Sequence, residues 1–169
     1  MPRLVAFVVL LALLVGVGAS GDWLLGRREP IEQPIAFNHA RHAEEGLGCL
    51  DCHAAAAEGE YATLPLLSTC QLCHAEALGE SPEEAKLLEF VERGEEIPWR
   101  LVNRVEGHVY FHHAAHVTLG KMECSECHGD MTQASVPPPA SQIADLSMRR
   151  CMECHSERYV TNDCIACHK

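Results

Sequence analysis

Five C-x-x-C pairs, each followed at once by a histidine, constrain this chain more than any other feature of its 169 residues. They read Cys49-Leu50-Asp51-Cys52-His53, Cys70-Gln71-Leu72-Cys73-His74, Cys124-Ser125-Glu126-Cys127-His128, Cys151-Met152-Glu153-Cys154-His155 and Cys164-Ile165-Ala166-Cys167-His168. Disulfide frameworks and zinc ribbons also use paired cysteines, but neither explains a histidine after every pair. The spacing is that of c-type haem attachment, in which two thioethers hold the porphyrin edge and the adjacent histidine meets the iron. On this reading the ten cysteines bind five haem c groups. His53, His74, His128, His155 and His168 are the proximal iron ligands, and no cysteine remains for a disulfide.

Six of the 11 histidines lie outside these motifs: His39, His42, His108, His112, His113 and His116. Five irons need up to five distal ligands, so supply and demand nearly match. The histidines cluster in a repeated F-x-H-x-x-H pattern, Phe37 to His42 and Phe111 to His116. On a helix, residues three apart lie about 60° from each other, so two imidazoles emerge side by side and reach the irons of different haems. His39 precedes Cys49 by ten residues and His113 precedes Cys124 by eleven, the mark of an internal duplication. In this register His39, His42, His113 and His116 are distal ligands, His108 is the candidate for the fifth, and His112 is the extra residue. Met131 and Met148 are alternative distal ligands at one iron, with soft packing against haem edges as their plainer role.

The N-terminus holds eighteen uncharged residues, Leu4 to Gly21. At about 1.5 Å per residue these cover roughly 27 Å, close to a hydrocarbon core of about 30 Å. Residues 1–26 therefore read as a transmembrane anchor with Trp23 at an interface. The competing reading is a signal peptide cleaved near Val17-Gly18-Ala19. Bacterial c-type haem attachment takes place outside the cytoplasmic membrane, which puts the following domain on the periplasmic face. Arg27 and Arg28 on that side compete with Arg3 inside, so charge alone does not orient the segment.

Residues 27–33 form a linker and residues 34–169 the pentahaem domain: a two-haem half over 34–78, a connecting helix within 79–96 and a three-haem half over 97–169. The helix start is explicit in Ser81-Pro82-Glu83-Glu84, and Gly94 ends it. Val136-Pro137-Pro138-Pro139 cannot be regular helix. Aromatic residues are only 5% of the chain, too few for an ordinary core, so the haems themselves fill the middle. The expected fold is mostly α with much irregular structure and little or no β-sheet. A net charge of -11 excludes a basic nucleic-acid binder; it gives a solvated face and can also steer the domain toward a basic partner.

These residues resemble the class III multihaem cytochromes. They are most similar to the pentahaem, membrane-anchored cytochrome subunit of alternative complex III, a bacterial quinol-oxidising complex. The resemblance is carried by Gln33 to His39, Ile97-Pro98-Trp99, Val109 to Val117, Cys127 to Met131 and Leu146-Ser147-Met148. Where that family has Gly-Trp before the fourth motif, this chain has Arg149-Arg150. The resemblance implies iron–sulfur and quinol-oxidising membrane subunits as electron donors, and a monohaem cytochrome c or a terminal oxidase as acceptor. The competing classes are a freestanding periplasmic shuttle and a multihaem oxyanion reductase, the second of which needs an iron with an open distal position.

Overall fold

Residues 31–103, 105–137 and 146–168 are described here, from a computed structural model. The expected membrane anchor and most of the proline-rich loop lie outside them. Among the described residues no helix is long and apolar enough to cross a membrane. Secondary structure consists of short helices: α1 His39–Glu44, α2 Cys49–Cys52, α3 Ala55–Glu58, α4 Leu67–Gln71, α5 Pro82–Arg93, α6 Ser125–His128, α7 Met148–Glu157 and α8 Cys164–Cys167. A π-helical turn, Ala115–Leu119, and a 3₁₀ turn, Met131–Gln133, interrupt the series. No strand occurs among the described residues; Val109 and His168 form one isolated antiparallel bridge. The fold is helical and irregular, as the sequence implies.

Each attachment motif is a single helical turn. The histidine N–H closes onto the carbonyl of the first cysteine at His53–Cys49 (2.9 Å), His74–Cys70 (2.8 Å), His128–Cys124 (2.9 Å) and His168–Cys164 (2.8 Å). The turn brings cysteines three apart and the histidine after them onto one side of the backbone. The fourth motif makes the same turn inside α7. α5 runs as its sequence signals require: the Ser81 side chain accepts from the Glu83 N–H, and Gly94 takes the left-handed conformation at φ 63°.

The buried apolar residues that pack together are Ile35, Leu67, Leu87 and Ile97, with Phe90, Val91 and Trp99 against them. This cluster sets α5 on α4 and so positions the second motif. Leu87→Ala removes a buried side chain from it and lowers stability by about 2 kcal/mol, the low end for such truncations because the cluster is small and can partly collapse; a fall in the thermal midpoint of the haem-loaded protein checks this. Gln33 ties the start of the domain to residue 100, donating from Nε2 to the Arg100 carbonyl (2.8 Å) and accepting from the Arg100 N–H (3.0 Å).

The two halves exchange contacts reciprocally. After the first motif, α3 packs on the π-helical turn, and the His113 and Ala114 N–H groups donate to the carbonyls of Glu60 (3.1 Å) and Gly59 (3.0 Å). After the third motif, the 3₁₀ turn packs on α1, and the Ala40 N–H donates to the Ala134 carbonyl (3.0 Å). Each double-histidine element is thus braced by the segment following the other half's first attachment motif. The duplication seen in the sequence is expressed as mutual bracing, and cutting the halves apart would leave both elements unsupported.

Candidate functional site

Each F-x-H-x-x-H element folds around its phenylalanine. The Phe37 ring stands edge-on to His39 (centroids 4.7 Å, 82°) and stacks on His42 (4.4 Å, 25°). Phe111 repeats this with His113 (4.9 Å, 89°) and His116 (4.7 Å, 18°). One ring fixes two imidazoles in different planes, which gives the phenylalanine of the repeat its function. The second element departs from the expected α-helix. After His113 and Ala114 the backbone widens to a π turn, with the Gly120 N–H reaching back to the Ala115 carbonyl (2.9 Å). A Cβ on Gly120 would lie 2.7 Å from the His116 carbonyl oxygen, so only glycine permits this closure.

Opposite the imidazoles of these elements stand the motif histidines. His42 faces His74 at 6.2 Å between ring centroids, His113 faces His128 at 6.5 Å, and His116 faces His155 at 6.2 Å. His108 stacks over His168 at 5.4 Å, where the Tyr110 N–H also donates to the Cys167 carbonyl (2.7 Å). His53 is close enough to His39 to help lower its pKa. Four motif histidines are therefore faced by a histidine expected as a distal ligand, and His39 lies within electrostatic reach of the fifth, His53, a pairing that sequence spacing left undetermined. His112 is exposed and takes no part through its ring. Met148 is 59% exposed at the start of α7, and Met131 begins the 3₁₀ turn.

The ring nitrogens are oriented for metal binding. Nδ1 of His42, His53, His113, His116 and His155 contacts the backbone carbonyl of Asn38 (2.8 Å), Thr63 (3.1 Å), Glu60 (3.0 Å), His112 (2.9 Å) and Thr161 (2.9 Å) respectively. A carbonyl only accepts, so Nδ1 carries the proton and Nε2 presents its lone pair. His74 differs: its Nδ1 bonds Oε1 of Glu84 at 2.8 Å. Burial lowers the pKa of His39, with His53 and His42 adding to the effect, and lowers that of His128, with His113 and His53 adding. Both imidazoles are thereby held neutral, the form that binds metal.

The cysteines of different motifs also meet. Burial raises the Cys52 thiol, followed by Asp51 and then Cys73; burial raises Cys70, followed by Cys52. Cys124 is raised by burial and then by Cys49, to which it is hydrogen-bonded. Cys127 is raised by burial and then by Cys154, with Glu126 and Cys151 adding. The motifs are therefore within electrostatic reach of one another in the order second, first, third, fourth, which is not their order along the chain.

A haem fits this donor set. Two imidazoles bound through Nε2 to one metal at about 2 Å each stand with centroids on the order of 6 Å apart, the separation of the His42, His113 and His116 pairs, while the His108 pair is closer at 5.4 Å. A buried indole N–H, Trp99 Nε1, and a buried ring nitrogen, His39 Nδ1, have no protein partner beside the first-half pairs, leaving polar atoms for a group the polypeptide does not supply. Sequence reasoning located the histidines but missed the carbonyls that orient them and missed Glu84. Only Glu84 left a signal, as the acidic residue three positions after a helix cap.

Comparison with known proteins agrees with this chemistry. Residues 109–169 match the family described as cytochrome c7 and related cytochrome c. Over 99% of its length the chain is 32% identical to the menaquinone reductase, multiheme cytochrome c subunit, of Nitratidesulfovibrio vulgaris, and it covers 89% of that protein.

Proposed function

Because this chain belongs to the multihaem cytochromes c, we propose that it is the electron-transfer subunit of a quinone-linked membrane complex, with five haem c groups whose irons each lie between two histidines. The observation that carries this reading is the second imidazole opposite four of the motif histidines, with His39 in electrostatic reach of the fifth. Haem iron so held exchanges one electron at a time. A doubly ligated iron offers a substrate no free position, which supports a carrier over an oxyanion reductase. The order in which the motifs stand supports a wire running from the second haem through the first and third to the fourth, with the fifth joined through the His108 and Tyr110 segment. In such a wire the protein supplies spacing, ligation and dielectric.

The N-terminal segment anchors the chain, and the haem domain lies on the periplasmic face of the bacterial cytoplasmic membrane. The resemblance to alternative complex III makes iron–sulfur and quinol-oxidising subunits the donors, with a monohaem cytochrome c or terminal oxidase as acceptor. The relative from Nitratidesulfovibrio vulgaris belongs to a menaquinone reductase, which favours the same contacts used in the opposite direction, from cytochrome to quinone. A haem-stained native gel of gently solubilised, salt-washed membranes beside the periplasmic fraction tests the assignment. A large membrane species that exchanges electrons with quinone supports it, and the faster of quinol oxidation and quinone reduction gives the direction. Stain near the mass of the single chain in the soluble fraction would make the protein a diffusing shuttle.

A further inference from the structure

We propose that Glu84 is a positioning residue that lowers the reduction potential of the haem attached at Cys70 and Cys73. This rests on the ligation proposed for the second motif, in which His74 binds that iron. The Glu84 side chain is 10% exposed and its Oε1 lies 2.8 Å from His74 Nδ1. The carboxylate is held from behind as well: Oε1 accepts from the Leu78 N–H (2.9 Å) and Oε2 from the Gly79 N–H (2.9 Å). His42, His53, His113, His116 and His155 meet neutral carbonyls through Nδ1 instead. An anionic acceptor on Nδ1 draws the proton toward itself, makes Nε2 a stronger donor and favours the ferric iron. His42, which faces His74, shares α1 with His39, so this haem neighbours the first. There the lowered potential makes it release electrons toward the first haem.

The glutamate also has a sequence logic. At the third position of α5 it could close back onto its own helix cap, yet its oxygens go to Leu78, Gly79 and His74. α5 is thus more than a spacer between the halves, because its first turn carries an acid to a haem ligand.

The test is a potentiometric titration of the full-length, haem-loaded protein, followed by optical and electron paramagnetic resonance spectra. Glu84→Gln keeps an acceptor oxygen and removes the charge. One of the five one-electron components is expected to rise by about tenfold in its ratio of reduced to oxidised haem, or ~59 mV. His42→Met exchanges the facing ligand and should raise the same component, which identifies the haem. Five unchanged midpoints in Glu84→Gln would reduce Glu84 to a structural brace and overturn the proposal. An equal shift in Glu83→Gln, which removes a neighbouring charge that bonds Ala36 and Lys86 instead, would overturn it too, since any acid nearby would then suffice. If Glu84→Gln does not fold, the wild type decides: one ferric haem is expected with a compressed spread of g values, and five alike count against the idea. Should His74→Ala leave the spin state of every haem unchanged, the failure lies in the ligation and not in the role of Glu84.

Discussion

Replacing His116 with alanine is expected, on the ligation proposed above, to turn one haem in five from low spin to high spin and open it to carbon monoxide, while His112→Ala leaves all five low-spin. The two residues are nearly adjacent, so composition and surface charge do not separate them. Geometry does. His116 stacks on Phe111, faces His155 at 6.2 Å and has Nδ1 directed to the His112 carbonyl (2.9 Å). His112 contributes that carbonyl, which alanine retains, and its ring is exposed. Loss of the imidazole leaves iron with one strong axial ligand, and added imidazole should restore the low-spin spectrum. A charge-transfer band of the ferric protein worth one haem in five, absent from the His112 variant, is the readout. A low-spin spectrum in His116→Ala would mean that another side chain, Met148 being the nearest in type, takes the position. Gly120→Ala should give a weaker form of the same defect, because the added methyl presses on the His116 carbonyl at 2.7 Å.

The second large effect concerns wiring. Cys49→Ala with Cys52→Ala removes the first haem, and Cys70→Ala with Cys73→Ala removes the second; each variant should retain four haems by pyridine haemochrome assay. If electrons followed the order of the chain, losing the first haem would merely shorten the wire and losing the second would break it. The thiol placement requires the reverse. Cys52 is in electrostatic reach of Cys70 and Cys73, and Cys49 of Cys124, so on the proposed wiring the first haem stands between the second and the third. Rapid reduction of the first-motif variant should therefore leave one haem, the stranded second one, in a separate slow phase. The second-motif variant should reduce in one connected phase. The opposite outcome would restore the chain order.

Much of the candidate site is legible in the sequence because attachment chemistry is local. A cysteine, a second cysteine three residues on and a histidine next to it come together within one helical turn, whatever the rest of the chain does. The same holds for His39 with His42, and for the start and end of α5 at Ser81 and Gly94, where capping depends on a few neighbouring residues. The scarcity of strands follows too, because the chain lacks alternating apolar runs. The bracing between halves is not legible in this way. It depends on backbone groups of Gly59, Glu60, Ala40 and Ala134, and backbone groups carry no residue identity. The π turn is hidden for a related reason, since its only sign is a glycine whose need becomes visible once the His116 carbonyl lies above it.

Sequence by itself determined the cofactor class and located the ten paired cysteines, the histidine after each pair and the two double-histidine elements, because each rests on residues close together in the chain. Tertiary structure alone decided which imidazole faces which, which motifs are neighbours, and that a glutamate reaches His74. Those contacts join residues ten apart along the chain, as in His74 and Glu84, and sixty apart, as in His108 and His168, and the spacing of residues along the chain does not encode which of them meet.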